Sequence, residues 1–400
     1  MRALLGLSLF LSSTVAAAQA RPRARDLGVP FDGAPGQLNA ITDVAGVEVG
    51  HVTLIRGQGR LVVGQGPVRT GVTALFPRGT TSGDPVFSGW FTLNGNGEMT
   101  GTTWVEESGF LAGPVMITNT HSVGVVHDAV IEWLVRHGFG FDWSLPVVAE
   151  TWDGSLNDIN GFHVIKQHAF QAMDSARGGP VPEGNVGGGT GMICHQFKGG
   201  IGTASRRLAA AAGGYTVGVL VQCNYGIRRR LAIAGVPVGQ EIPDLLPCYE
   251  SAPPARAEEN RCPAPGGRPG DEEHGSIIIV VATDAPLLPH QLKRVARRAA
   301  LGVGRIGGLG GNTSGDIFIA FSTANAGAAA TTGARSLVML PNERITPVFE
   351  AAIQATEEAI VNAMVAAETM TGADDLRVSA LPHDRLRSAL RKYNRLAEPR

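Results

Sequence analysis

Ser276 follows Gly275 directly and opens the apolar run Ser276–Ala282. The stretch leading into it, SAPPARAEENRCPAPGGRPGDEEH at 251–274, is Pro, Gly and charge with little apolar content. Such a composition reads as an exposed loop or linker. Together these features suit a chain scission that uncovers a new N-terminus inside a buried site. A serine with a free α-amine carries its own base, because the amine can take the hydroxyl proton. The preceding glycine tolerates the strained backbone that an N-to-O acyl shift requires. A Gly-Ser pair before a strand is commonplace, however, and by itself nominates no nucleophile.

Other signatures of chemistry fail on context. Gly302-Val303-Gly304-Arg305-Ile306-Gly307 matches GxGxxG, but it follows a helical pattern, whereas a dinucleotide fingerprint follows a strand. The sequence contains no Walker motif, HEXXH or GxSxG elbow. The ten histidines show no metal-ligand spacing; His163 and His168 are five apart and do not share a helix face. Nothing nominates the serine of a Ser-His-Asp triad. No metal or organic cofactor is called for. Of the four cysteines, Cys194 and Cys223 sit in apolar surroundings and are expected as buried thiols. Cys248 and Cys262 bracket a polar, Pro-rich stretch, where a loop-closing disulfide and two free thiols are equally compatible. No CxxC or Cys/His zinc spacing is present.

The elements that would position Ser276 are apolar strands and amphipathic helices. Strands are expected near Gly46–Ile55, Thr70–Phe76, Pro114–Thr118, Pro146–Ala149, Tyr215–Gln222, Ser276–Ala282 and Asp316–Phe321. Several are continuous apolar runs, which implies burial on both faces. Helices are expected over Val125–His137, Pro289–Leu301 and Pro347–Thr371, with Gly138, Gly302 and Gly372 as stops and Thr346 capping the last. Strands and helices do not alternate strictly, so a plain βαβ chain fits poorly. Stacked sheets covered by helices on both outer faces fit better.

Composition narrows the class. Lys and Arg number 34 against 35 Asp and Glu, a balance that argues against a nucleic-acid surface. At 44% hydrophobic residues the chain is too apolar to be disordered. Glycine, at 54 of 400 residues, is about twice its usual share and signals tight turns and close backbone approaches. Residues 1–20 read as a secretory signal peptide: Arg2, an apolar run over Ala3–Leu11, and the small-x-small site Ala18-Gln19-Ala20. No later run approaches the ~20 apolar residues of a membrane helix. A soluble exported protein, periplasmic or secreted, is the expectation.

The wording of the chain resembles the family of L-aminopeptidase D-amidase/D-esterases and β-peptidyl aminopeptidases. The resemblance runs from Arg23 to about Leu386. It is carried by RARDLGVPFDGAPGQLNAITDVAGVEVGH at 23–51, NGNGEMTG at 94–101, GPVMITNTHSVGVV at 113–126 and PVVAETWDGSLNDING at 146–161. It continues through PEGNVGGGTGM at 182–192, GSIIIVVATDAPLLPHQL at 275–292 and SGDIFIAFSTAN at 314–325. The resemblance implies an α+β, four-layer αββα sandwich of the N-terminal-nucleophile kind. It also implies self-cleavage between Gly275 and Ser276 and Ser276 as nucleophile.

Carried over residue by residue, Ser314 and Asp316 match the hydroxyl and carboxylate that orient and polarise the nucleophile's surroundings. The family favours glutamate at the second of these, so Asp316 is one methylene shorter. Asn224 matches the oxyanion donor, and Glu150 the carboxylate that holds the substrate's free amine. Trp152 stands where a tyrosine of the oxyanion pocket is expected; its indole donates one hydrogen bond but neither accepts nor ionises. These matches imply one catalytic domain over 21–400, cut into an α chain 21–275 and a β chain 276–400. The expected activity is hydrolysis of small peptides, amides or esters after a small free-amine residue, by a homo-oligomer of αβ units. Two alternatives stay open: an acyltransferase of related architecture, such as an ornithine acetyltransferase, which uses threonine, and an unprocessed, non-catalytic exported binding protein.

Overall fold

A computed structural model of the chain describes residues 21–139, 142–251, 261–262 and 275–398. The expected export signal at 1–20 and most of the linker at 251–274 lie outside them. In chain order the first strands are β1 (Glu48–Arg56), β2 (Val68–Phe76), β3 (Val86–Thr92), β4 (Phe110–Leu111), β5 (Val115–Asn119) and β6 (Val147–Thr151). Next come β7 (Ile193–Cys194), β8 (Phe197–Lys198), β9 (Gly200–Arg207), β10 (Thr216–Asn224) and β11 (Cys248–Tyr249). The last are β12 (Ser276–Thr283), β13 (Asp316–Ser322), β14 (Met370–Thr371) and β15 (Leu376–Val378). The helices are α1 (Thr102–Ser108), α2 (Val123–Arg136), α3 (Lys166–Asp174), α4 (Val238–Glu241), α5 (Pro289–Ile306), α6 (Thr346–Val365) and α7 (His383–Lys392).

Two sheets dominate, one ordered β1-β2-β5-β6 and the other β4-β3-β13-β12-β10-β9. Alternation along the strands then builds four layers. On β12, Ile277, Ile279 and Val281 join the core beneath α5 and α6, while Ile278, Val280 and Ala282 join the core between the sheets. A third core sets Val72, Ala74, Met116 and Val148 of the first sheet against Val126, Val130 and Trp133 of α2 and Phe170 of α3. Each fully buried aliphatic side chain contributes about 1.5–3 kcal/mol. The result is the αββα sandwich that the resemblance implied. In the second sheet β12 lies between β10 and β13, so strands from before and after Gly275 interleave.

The boundaries of two expected helices are corrected. α5 runs through Gly302 to Ile306 and ends at Gly307, whose φ is +103°. At Gly302 a Cβ would meet the Thr356 side chain at 2.7 Å, so this glycine lets α5 and α6 approach closely and stops nothing. α6 starts at Thr346, with Ile345 as its capping residue, and ends at Val365, six residues short of Thr371. Met370, which extends the apolar pattern, packs instead with Leu156, Leu376 and Val378 in a small separate core. The expected buried thiols are also corrected: Cys194 and Cys223 form a disulfide, their Cα atoms 5.6 Å apart on β7 and β10. Cys248 and Cys262 form a second, with Cα atoms 5.2 Å apart. β11, which holds Cys248, pairs with β15, so this bridge is anchored to a strand that follows Ser276 in the chain.

Candidate active site

The site lies at one end of the second sheet, where three adjacent strands begin or finish. Ser276 is the first residue of β12 and Asn224 the last of β10, and the two are direct antiparallel partners. Beside them Ile277 pairs with Asp316, the first residue of β13. Ser276 continues the series Ile278 and Val280, so it points into the space between the sheets. It is buried, and its Oγ accepts the Gly315 N–H at 3.0 Å.

The turn before β13 supplies that donor. Ser314 Oγ donates to Asp316 Oδ1 at 2.6 Å, both side chains being fully buried. The loop carrying Asn94 and Asn96 clamps this turn. Asp316 N donates to Asn94 Oδ1 at 2.7 Å, and Asn96 Nδ2 donates to the Thr313 carbonyl at 2.7 Å. Gly315 is dictated by the fit: a Cβ there would stand 2.4 Å from the Asn96 carbonyl oxygen. Across the same loop, a Cβ on Gly97 would lie 3.1 Å from Gly315 Cα and 3.4 Å from Glu150 Oε1. The NGNG loop thus separates the nucleophile's turn from Glu150 by a single layer of backbone.

Glu150, near the end of β6, is 3% exposed. Its Oε1 accepts the Glu98 N–H at 2.9 Å and its Oε2 accepts the Thr120 hydroxyl. Burial raises its pKa above the usual glutamate range, opposed by these two hydrogen bonds. No arginine or lysine pairs with it among the described residues; besides the two hydrogen bonds, His121 favours its charge and Glu98 opposes it.

Asn224 is fixed on both sides of its amide. Oδ1 accepts the Ile193 N–H at 2.8 Å, and Nδ2 donates to the Trp152 carbonyl at 2.9 Å. One amide N–H is left over among the described residues. Asn224 and Gly275 both line a cleft with Trp152, Ile193, Ile227 and Leu376. Trp152 is 49% exposed, and its contribution to Asn224 is its carbonyl; the indole makes no hydrogen bond among the described residues. This departs from the ring-borne donor expected at that position. Gly275 has φ +108°, and a Cβ on it would lie 1.9 Å from the Asn224 carbonyl oxygen, so only glycine fits directly before Ser276.

The structure therefore brings Gly275, Ser276, Asn224, Ser314 and Asp316 to one sheet end, with Glu150 a loop's thickness away and Trp152 on the cleft wall. Sequence reading missed the supporting groups: Thr120, the backbone of Gly315 and Ile193, and the amides of Asn94 and Asn96. The one signal for them was the density of Asn and Gly in NGNGEMTG.

Comparison with known proteins finds relatives along most of the chain. Residues 39–378 match the model of peptidase family S58. The β-peptidyl aminopeptidase BapA of Sphingosinicella microcystinivorans is 59% identical over 384 residues, covering 96% of this chain and 95% of that one. The BapA of Sphingosinicella xenopeptidilytica is 51% identical over 389 residues, covering 95% and 93%. Among solved structures, the L-aminopeptidase D-Ala-esterase/amidase of Ochrobactrum anthropi, described as a prototype serine aminopeptidase with a variant Ntn-hydrolase fold, superposes with a TM-score of 0.83. It is 49% identical and covers 94% of this chain and all of that one. A β-aminopeptidase from Burkholderia sp. superposes with a TM-score of 0.80 at 47% identity, covering 93% and 99%.

Proposed function

The chain belongs to peptidase family S58, and from that premise we propose a self-processing aminopeptidase whose nucleophile is the N-terminal serine of its own second chain. The carrying observation is a junction that fits only glycine, pressed against Asn224, followed by a buried serine whose Oγ accepts an N–H at 3.0 Å. In maturation, Ser276 Oγ attacks the Gly275 carbonyl carbon. The C–N bond to Ser276 breaks, the hydroxyl proton passes to the departing nitrogen, and an ester remains. Water hydrolyses that ester and leaves a free α-amine on Ser276. Residues 21–275 and 276–400 then form one catalytic domain, interlocked through β10, β12 and β13.

In turnover the α-amine takes the Ser276 hydroxyl proton as Oγ adds to the substrate carbonyl. The spare Asn224 N–H donates to the developing oxyanion, and the Gly315 N–H remains on Oγ. Ser314 and Asp316 hold the turn that places that N–H. The α-ammonium returns its proton to the leaving amine, and water then hydrolyses the acyl-serine ester. Glu150 pairs with the substrate's own ammonium, since an unpaired buried charge is costly.

The substrate class is a small L-, D- or β-aminoacyl amide or ester with a free amine. The relatives' names support that breadth. The signal-like residues 1–20 support export to the periplasm or medium, and the family resemblance implies an oligomer of αβ units. The function is tested with alanine and β-alanine p-nitroanilides and their N-acetyl forms. Hydrolysis confined to the free-amine compounds, and lost in Ser276→Ala, supports the reading. Equal turnover of both forms, or an active Ser276→Ala protein, overturns it.

A further inference from the structure

Lys198 is a fully buried cation outside the groups used so far. It sits on β8, whose partner strand β7 begins at Ile193, the residue opposite it in the ladder. Its ammonium has no carboxylate partner among the described residues. Nζ donates instead to the carbonyls of Met192 at 2.8 Å, Gly199 at 3.0 Å and Gly189 at 3.5 Å. Burial pulls its pKa down to about 7, so the charge that these carbonyls hold is given up as pH rises above neutrality.

The Met192 carbonyl and the Ile193 N–H belong to one peptide group. Lys198 grips its oxygen, and its N–H donates to Asn224 Oδ1 at 2.8 Å. The chain of contacts therefore runs from an ammonium through one backbone amide to one side-chain amide. A positive charge at a carbonyl oxygen polarises the peptide and strengthens its N–H as a donor, and the effect passes along hydrogen-bonded amides. The same contacts fix which way the Asn224 amide faces, because Oδ1 must meet Ile193 and Nδ2 must meet the Trp152 carbonyl.

We propose that Lys198 is a positioning residue for the oxyanion donor, acting through the Met192–Ile193 peptide to aim and polarise the Asn224 amide. The proposal rests on the reading of Asn224 as that donor. It takes effect in the transition state, where negative charge has developed, and contributes little to ground-state binding. A cation that merely satisfied three carbonyls would affect folding but not this step.

The test is a double-mutant cycle of Lys198→Met and Asn224→Ala. The readout is kcat and KM for the better of the alanine and β-alanine p-nitroanilides, per released Ser276 N-terminus. Loss of an oxyanion donor lowers kcat by about 10²–10³-fold. Asn224→Ala is expected in that range and Lys198→Met at about 10-fold, both with KM nearly unchanged. Adding Lys198→Met to Asn224→Ala should change kcat by less than about 2-fold, because the second residue acts only through the first. Multiplying effects, or a Lys198→Met defect confined to KM, overturns the proposal while leaving Asn224 as donor. A loss below about 3-fold in Asn224→Ala overturns the donor reading itself.

Where a variant does not fold or mature, the wild-type crystal structure with 1-aminoethylboronic acid on Ser276 decides. The expected adduct keeps Lys198 Nζ on Met192 and the Ile193 N–H on Asn224 Oδ1, with Nδ2 on a boronate oxygen. An adduct in which Asn224 has left the Ile193 N–H overturns the proposal. One in which Nδ2 does not touch the boronate overturns the donor reading.

Discussion

Asn224 and Ser276 are direct partners across β10 and β12, each at the end of its strand. This pairing places an amide and a hydroxyl side by side in the space between the sheets. Because β12 begins at Ser276, the proposed cleavage before it would remove no ladder partner from the sheet, and the new amine would emerge beside Asn224.

Among the described residues Glu150 is hydrogen-bonded by the Thr120 hydroxyl and the Glu98 N–H and has no Arg or Lys partner, which leaves it a counter-ion to gain. A charge-assisted contact contributes roughly 1.5–3 kcal/mol. Glu150→Gln should therefore lower kcat/KM for free-amine substrates by about one to two orders of magnitude. Self-cleavage, which involves no substrate amine, should proceed. Paired assays of turnover and processing check this; a Glu150→Gln protein that stays uncut makes the residue structural.

The pH dependence follows from two groups that must both be deprotonated. Burial raises the Glu150 pKa, so as pH falls it takes up a proton sooner than an exposed glutamate would, and KM for free-amine substrates should climb there. The Ser276 amine must be neutral to act as base, with an unperturbed pKa of about 7.7–8.0 that burial lowers. kcat should rise with pH through that value, less steeply than the amine alone would give, because Lys198, lowered to about 7 by burial, loses its charge over the same range; Lys198→Met should lack that loss. Glu150→Gln should lose the acid-side rise in KM and keep the kcat limb. A rate flat from about pH 5 to about pH 9 contradicts the amine as base.

Gly315 has no room for a side chain, since a Cβ would stand 2.4 Å from the Asn96 carbonyl oxygen. Gly315→Ala should open the turn that aims its N–H at Ser276. The expected cost is about 1–3 kcal/mol of stability and at least about 10-fold in kcat. Thermal melts alongside kcat per active site measure both. Unchanged kcat would mean the turn does not place the nucleophile.

How much of this was legible in the sequence depended on side-chain size. β12 and β13 announced themselves through Ile, Val and Phe. β3 and β9 did not, because helices press on them and demand small residues. A Cβ on Gly89 would meet Lys293 N of α5 at 2.4 Å, and one on Gly202 would meet the Ala359 carbonyl of α6 at 2.0 Å. Glycine there erases the strand signal while making the layer possible. The site divided the same way. Ser276, Ser314, Asp316, Asn224 and Glu150 were named by resemblance, whereas their holders, such as the Ile193 and Gly315 backbones, have no side-chain signature. The Cys194–Cys223 pairing was hidden because apolar neighbours suit a thiol and a disulfide equally.

That disulfide joins the residue after Ile193 to the residue before Asn224. Replacing both cysteines by serine should cost about 2–4 kcal/mol in denaturant unfolding and loosen the Ile193–Asn224 contact. kcat should fall more than KM rises. Alkylation under denaturing, non-reducing conditions should label neither cysteine of the wild type, and labelling of both would remove the pairing.

The central claim is that the protein makes its own nucleophile by cutting before Ser276. Intact-mass measurement with N-terminal sequencing of the purified mature protein tests it most directly. The account predicts two chains, the smaller beginning Ser-Ile-Ile-Ile-Val, and a single uncut, inactive chain for Ser276→Ala. A single active chain in the wild type, or a second chain with any other start, would contradict it.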